Sequence, residues 1–382
     1  MKVLLMKNIN MSNHLIPWWK INFEKDDSKA IKKSLEDRLI TQGQLTERLE
    51  QRFAELLGVP FVLLSINGSA ALLMALMACG IEPGDEVIVP NLTFIATAQA
   101  PLLLGAKIKL VGVESERPVL DVKKVEAAIT SRTKAIIPVH SNGRAVDMTS
   151  INKIAAKYKV KVIEDAAQAL FSKNSFGYLG TQSDVGVFSL GVTKLITTIQ
   201  GGIIVTKNKE LFKRLKKIRN HGMSADTAFY SKSDMLGFNF KFNDLFASIG
   251  LTQIKKIKEK INTNLSIYNF YKAELEGLEY IKMMDVNVEA GEIPLWGEVL
   301  CVQREKLIRL LKKHNIQAKP FSPNLSDVPY LNSKKKFKNS QIFADNGLIL
   351  PSGSGQSKED LHKVVRVLKE SRPLMERTIQ GH

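Results

Sequence analysis

The chain has 382 residues, 44% hydrophobic and 24% charged, with 24 Gly, 13 Pro and only 2 Cys. Its length exceeds what a single hydrophobic core usually supports, its apolar content excludes wholesale disorder, and it lacks the long uncharged runs of a membrane protein. The 55 Lys+Arg against 38 Asp+Glu leave a net charge of +17, which favours anionic partners without saying which.

The first residues, MKVLLMKNINMSN, contain an apolar run from Val3 to Met6 that is far too short for a signal peptide. A cytoplasmic protein is expected, starting at Met1 or at Met11. Leu45, Leu49, Phe53, Leu56 and Leu57 share one face of a helix over Gln44 to Leu57, which Gly58 and Pro60 end. Phe61 to Ile66 then reads as a buried strand and Ser69 to Cys79 as a helix. Further strands are expected at Glu86 to Pro90, Ile108 to Val113, Lys134 to His140, Val160 to Ala166, Asp184 to Leu190 and Gly202 to Thr206. Helices are expected between them, from about Thr93 to Leu104, near Val122 to Ile129, and after an Asp147 cap. Such alternation marks a mostly parallel sheet covered on both faces. Beyond Thr252 long basic helices take over to Leu275, and a last helix is expected near Lys358 to Glu370. The predicted organisation is a large α/β domain over 12–262, with an N-terminal arm at 1–30, and a smaller α+β domain over 263–382.

Cys79 and Cys301 sit in apolar contexts without CxxC spacing, so neither a disulfide framework nor a metal site is expected. The basic stretch Ser333 to Lys338 (SKKKFK) reads either as a solvated loop or as a weak platform for stacked bases. No helix-turn-helix, RRM or zinc-finger pattern supports the second reading, so neither nucleic acid nor membrane is an expected partner.

Open α/β sheets bind ligands beyond the carboxyl ends of their strands, so the residues there carry the chemistry. Asn67-Gly68-Ser69-Ala70 is either an ordinary strand-to-helix turn or a helix N-terminus offering free N–H groups to an anion. Asp165 closes a strand, and serves either as a cap or as the partner of a cationic ring. Lys194 is the only charged residue from Val185 through Thr206. Such a lysine either snorkels to the surface or is a desolvated amine primed to form an imine. Together the three are the parts of a pyridoxal phosphate (PLP) site, with Ser189 adding a hydroxyl for the phosphate and Phe94 an aromatic face for the ring.

The runs GDEVIVPNLTFIATAQAPLLLGAKIKLV, TKAIIPVHSNGRAVDM, VIEDAAQA, GTQSDVGVFSLGVTKLITTIQGG, IRNHG and GFNFKFND resemble the DegT/StrS family of PLP-dependent sugar aminotransferases. The resemblance runs from about Ile16 to the LPSG segment at Leu350 to Gly353. It implies PLP fold type I and a homodimer with shared active sites. It makes Lys194 the cofactor-bearing lysine, and Asp165 the partner of the pyridine nitrogen, with Gln168 near the ring hydroxyl. Ser69, Ala70 and Ser189 would hold the phosphate, Asn239 would reach it from the neighbouring subunit, and Phe94 would stack on the ring. L-glutamate is the implied donor and a keto-sugar, nucleotide-linked, the implied acceptor, as in deoxyamino sugar biosynthesis for surface polysaccharide. Relatives of this fold that act as sugar dehydratases have histidine in place of the lysine, which is kept here. Amination of a cyclitol or a lyase or dehydratase step is the rival within enzymes, and a basic nucleic-acid-binding or regulatory protein the rival outside them.

The sequence also departs from the family pattern. Leu190 stands where an aromatic residue is common, Ile199-Gln200 where Gly-Glu is frequent, Phe240 for tyrosine and Lys241 for arginine. Lys319 to Leu325 (KPFSPNL) lacks the usual histidine. Trp18, His140 and Lys241 are the candidates for substrate contacts. Trp18 serves equally well in an arm packed on a partner subunit, and His140 as a hydrogen-bonded structural residue.

Overall fold

In the computed structural model residues 14–224 and 233–376 are described; the alternative start at Met11 and the first part of the expected arm lie outside them. Two helices lead in, α1 (Lys25–Glu36) and α2 (Gln44–Leu57). The second is the helix read from the leucine stripe, and it stops at Gly58 in the left-handed region, φ 65°. The first carries no apolar stripe. Its buried residues are Asp27 and Ser34, and it is held by polar contacts from the Thr252 hydroxyl and the Gln253 amide to Asp27.

The chain then alternates through β1 (Phe61–Ser65), α3 (Gly68–Ala78), β2 (Glu86–Pro90), α4 (Ala96–Leu103), β3 (Lys107–Val111), β4 (Thr133–Ile136), α5 (Met148–Tyr158) and β5 (Lys161–Asp165). A small hairpin, β6 (Lys173–Asn174) and β7 (Gly177–Tyr178), precedes β8 (Val185–Ser189), β9 (Gly202–Thr206) and α6 (Lys209–Arg219). Seven of these strands form one sheet in the order β1-β9-β8-β5-β4-β2-β3. The pairs β2–β3, β2–β4, β4–β5 and β5–β8 are parallel, and both contacts of β9 are antiparallel. The strands bury both faces because their side chains alternate. Leu63 and Ile204 join the core under α3, while Val62, Leu64, Ile203 and Val205 join the opposite layer with Leu49 and Phe53. α3 is apolar all round, and Ala71, Met74, Ala75 and Leu76 are fully covered.

The remainder forms α7 (Asp244–Gln253), α8 (Ile257–Glu274), β10 (Ile281–Met283), β11 (Gly297–Cys301), α9 (Arg304–Lys313), β12 (Lys319–Pro320), α10 (Lys338–Asn346), β13 (Gly347–Leu350), α11 (Lys358–Glu370) and α12 (Arg372–Glu376). Its four strands make an antiparallel sheet ordered β10-β11-β13-β12. The boundary expected near Asn262 falls inside α8, which runs unbroken past it.

Three local expectations are corrected. Val122 to Ile129 is not a helix but two 3-10 turns, Val122–Lys124 and Glu126–Ala128. Only Val122 and Val125 are buried there, and a spacing of three suits the 3-10 geometry. The strand expected to reach His140 leaves the regular ladder at Ile136, just before Pro138, which has no N–H to donate; a single bridge, Val139 to Asp165, continues it. In the basic stretch Phe337 packs against the core beside Gly112 rather than standing out for stacking. Among the described residues both cysteines are free thiols, and no helix is long and apolar enough to cross a membrane.

Candidate active site

The strand ends of the large sheet open into one cavity of about 390 Å³, closed on the far side by residues of the second sheet. Its first wall is the N-terminus of α3. Asn67 caps this helix, its Oδ1 accepting the Ala70 N–H at 2.8 Å. The N–H groups of Gly68 and Ser69 belong to the open first turn and have no carbonyl of the helix to bond. Ala70, expected to help hold a phosphate, has its N–H committed to the cap and its side chain buried. The open donors are therefore those of Gly68 and Ser69. Ser189 lies against them: a Cβ on Gly68 would meet Ser189 Cβ at 3.1 Å and Oγ at 3.3 Å. A Cβ on Gly202 would meet Asn67 O at 2.4 Å, so only glycine lets β9 pass this turn.

Asp165 forms the floor at the end of β5. Its carboxylate accepts the Thr97 hydroxyl at 2.8 Å and the Ala167 N–H at 3.1 Å. Burial raises its pKa above the ordinary carboxylate range, against the pull of those two hydrogen bonds and of the Lys194 charge. A cationic ligand atom here would relieve that cost. Thr97 is fully buried on α4, and no local sequence signal marks it.

Lys194 sits in the loop between β8 and β9, with its N–H donating to Gly191 O at 3.1 Å. Thr197 Oγ1 and Thr198 N–H both donate to Leu190 O, which folds the loop back on the strand end. The ammonium lies 5.2 Å from the centroid of the Trp296 ring. Burial brings its pKa down to about 8, the Asp165 charge pushing it back up and Lys319 pressing it further down. In competitive acylation mapped by mass spectrometry, labelling of Lys194 in the ligand-free chain should rise as pH passes about 8. Surface lysines should rise only in the ordinary lysine range, about 10.4. A Lys194 that titrates with them would contradict its desolvation.

The opposite wall is fixed by Asn142, which occupies the left-handed region at φ 51°. Its Oδ1 accepts the N–H groups of Leu295 and Trp296 at 2.9 and 2.7 Å, and its Nδ2 donates to Trp296 O at 3.1 Å. Its own N–H donates to Gln168 Oε1 at 2.8 Å, so the Gln168 amide NH2 is the end left for a ligand. Behind Trp296, Arg144 is fully buried and donates to Glu298 Oε2 at 2.5 Å and to Asp285 O at 2.8 Å. Removing one partner of such a pair leaves a buried charge uncompensated. Arg144→Met should cost about 3–5 kcal/mol in a urea titration, and adding Glu298→Gln should recover part of it.

Of the residues singled out in the sequence, Ser69, Phe94, Asp165, Gln168, Ser189 and Lys194 line this one cavity. Phe94 is 58% exposed, leaving a ring face to be covered. His140 does not reach it. Its ring is fully buried, its Nδ1 accepting the Val146 N–H at 3.2 Å and its Nε2 lying 3.0 Å from Glu164 Oε2, so the proton sits on Nε2. Asn239 is exposed, bridged to Asn220, and Lys241 is bridged to Ser65; neither lines the cavity of its own chain. Trp18 stands one layer behind, edge-on to Trp296 at a centroid distance of 6.4 Å. Its arm is stitched to its own chain by Ile16 N–H to Asn315 O and Ser352 N–H to Trp18 O, at 2.8 and 2.9 Å. Asn142, Trp296, Thr97 and Lys319 also build the cavity, and no motif or spacing in the sequence marks them for it.

Residues 22–369 match the model of the DegT/DnrJ/EryC1/StrS aminotransferase family. The chain belongs to this family. It is 33% identical to the GDP-perosamine synthase of Caulobacter vibrioides over 336 residues, 86% of this chain and 90% of the relative. It is 32% identical to the UDP-4-amino-4,6-dideoxy-N-acetyl-beta-L-altrosamine transaminase of Campylobacter jejuni over 299 residues, 76% and 79% of the two chains. The solved structure of DesV from S. venezuelae superposes with a TM-score of 0.87 at 26% identity, covering 93% of this chain and 98% of that one. The protein is a PLP-dependent sugar aminotransferase of fold type I.

The cavity of this aminotransferase fits PLP on features of its own. The open α3 N-terminus and the Ser189 hydroxyl suit a phosphate. The buried Asp165 carboxylate suits a protonated ring nitrogen, and the Lys194 amine suits an aldehyde.

Proposed function

We propose that this aminotransferase moves the amino group of L-glutamate to a keto-sugar carried on a nucleotide, acting as a cytoplasmic homodimer in amino sugar biosynthesis for surface polysaccharide. The observation that carries this reading is the convergence of Lys194, Asp165 and the α3 N-terminus on one cavity. The names of relatives support the acceptor class: they include GDP-, UDP- and dTDP-linked sugar enzymes. The exposed side chains of Phe94, Val192 and Ile199 on the cavity lining support a second subunit over the mouth.

When bound, PLP supplies an aldehyde carbon that receives the amino group and a ring that draws electron density from the reacting carbon. The positions of this chain's groups, and for Asn239 the family resemblance alone, support the roles proposed. Gly68 and Ser69 N–H and the Ser189 hydroxyl bind the phosphate, with the partner subunit's Asn239 reaching the same group. Gln168 directs its amide NH2 at the ring hydroxyl, and Phe94 covers one ring face. Asp165 keeps a proton on the ring nitrogen. Lys194 Nζ would hold the cofactor through its aldehyde carbon and, as a free amine, would take up the proton that leaves the donor carbon and give it to the carbon that receives the amino group. Its lowered pKa serves this exchange, because the same amine must be free to accept the proton and acidic enough to give it back.

The test is to add L-glutamate to the PLP-loaded protein and follow the cofactor spectrum. Addition of GDP-, UDP- or dTDP-linked keto-sugars, with mass spectrometry of the products, completes it. The expected result is conversion of the spectrum by glutamate, reversal by one nucleotide-linked keto-sugar and an amine where its carbonyl was. Reversal only by a free cyclitol ketone would overturn the acceptor assignment.

A further inference from the structure

A second ammonium lies in this cavity with no anion of its own. Lys319 is on β12, whose register opposite β13 places it across from Ile349, also in the cavity wall. Its Nζ sits 4.5 Å from the centroid of the Trp18 ring, and Trp18 in turn rests edge-on against Trp296, the ring beneath Lys194. The other charges of the wall are accounted for: Glu298 is paired with Arg144, and Asp165 is held by Thr97 and Ala167. Among the described residues no carboxylate lies within ion-pair distance of Lys319.

Such an arrangement has a cost. Burial lowers the pKa of Lys319, and its charge in turn lowers that of Lys194. The Trp18 face offsets part of the lost hydration, since a cation over an indole is worth roughly 0.5–2 kcal/mol, but it supplies no acceptor for the three N–H donors. Lys319 is exposed overall, yet its ammonium lies at the wall of the cavity that contains Lys194, one side against an indole and no carboxylate of the described residues on the other, which makes it complementary to an oxyanion delivered by the substrate.

We propose that Lys319 binds the anionic group of a substrate entering this cavity, with the Trp18 ring as the platform that holds its side chain in place. The group is an oxyanion, either a carboxylate of the amino donor or the diphosphate of the nucleotide-linked acceptor. The inference rests on the proposed function for its two candidate sources.

The experiment compares PLP-loaded wild type, Lys319→Met and Lys319→Arg by calorimetric titration with glutarate and, separately, with UDP, GDP and dTDP. Cofactor absorbance and thermal melting serve as controls that the cavity is intact. The expected result is that wild type binds at least one probe and that Lys319→Met weakens it by about 10- to 100-fold, the range of one charge-assisted hydrogen bond. Lys319→Arg should retain most of the affinity. Selective loss of glutarate identifies the donor carboxylate as the group bound, and selective loss of a nucleotide identifies the acceptor diphosphate. Equal affinities in wild type and Lys319→Met, or no binding of any probe by wild type, would overturn the proposal. Failure of the underlying reading looks different: L-glutamate would leave the cofactor spectrum unchanged, while the titrations still decide whether Lys319 binds an anion.

Discussion

Lys194→Ala should lose turnover by about 10²- to 10⁴-fold from proton transfer alone, and more once the covalent hold on the cofactor is lost. An ordinary lysine near pKa 10.4 has only about one amine in 250 unprotonated at pH 8. Desolvation of Lys194 brings its pKa to about 8, so roughly half of the population is free amine there. No other lysine of this loop can take over, because Lys194 is the only charged residue between Val185 and Thr206. Stability should move little, since the substitution removes a desolvated charge together with its repulsion from Lys319 and its attraction to Asp165. The check pairs turnover with borohydride reduction of the PLP-loaded protein. Wild type should end with the cofactor fixed to the peptide carrying residue 194, and the variant with none fixed there. Turnover by the variant within tenfold of wild type would remove Lys194 from the centre of the reaction.

Asp165→Asn should have the second largest effect, about 10²- to 10³-fold in turnover, the range seen when one buried electrostatic partner of a reacting group is removed. It should also reverse its sign on stability between the two states of the protein. In the ligand-free chain burial raises the Asp165 pKa above its unfolded value. The stability tied to its proton is then fully present below the unfolded carboxyl range and is lost as pH rises through the folded value. At neutral pH the carboxylate is therefore a burden on the empty protein, and Asp165→Asn should melt at or above wild type, the difference closing on acidification. With PLP bound the order should invert, because the carboxylate gains a cationic partner and the amide does not. Melting curves with and without PLP between pH 5 and pH 8 test this. A variant less stable than wild type when empty, with unchanged cofactor affinity, would show Asp165 to be a structural acceptor only.

The strand-end rule works where the local chain both selects a position and aims its side chain. Asn67-Gly68-Ser69 does so because a tight turn into a helix has one open end, and Lys194 because a lone charge in an apolar loop must turn toward the ligand edge or the surface. His140 shows where the rule stops. It too follows a strand at the ligand edge, yet its side chain turns into the protein to meet Glu164, which also accepts the N–H groups of Gly180 and Gln182 and the Ser183 hydroxyl. Position along a strand does not tell which way a side chain turns once the ladder ends.

The departures from the family pattern divide in the same way. Ile199 stands where glycine is frequent, and the backbone there has φ 71°, a left-handed conformation unusual for a β-branched residue. The sequence shows the β-branched residue, but only the structure shows that it takes a left-handed conformation on the cavity lining. Lys319 is an ordinary member of a lysine-rich chain until β12 sets it beside Trp18, from the opposite end of the sequence.

Neighbouring residues alone were enough to specify the alternating strands and helices of the large sheet and the helix N-terminus at Gly68, and to single out Asp165 and Lys194 as positions with two readings each. Each depends on local order, through side-chain periodicity, turn chemistry and the cost of burying charge. The opposite wall belongs to the packing of the two sheets. Asn142 bonds Trp296 across 154 positions of sequence, Arg144 meets Glu298, and Trp18 meets Lys319. Polar side chains that find their partners only after sheets pack leave no periodic trace in the chain.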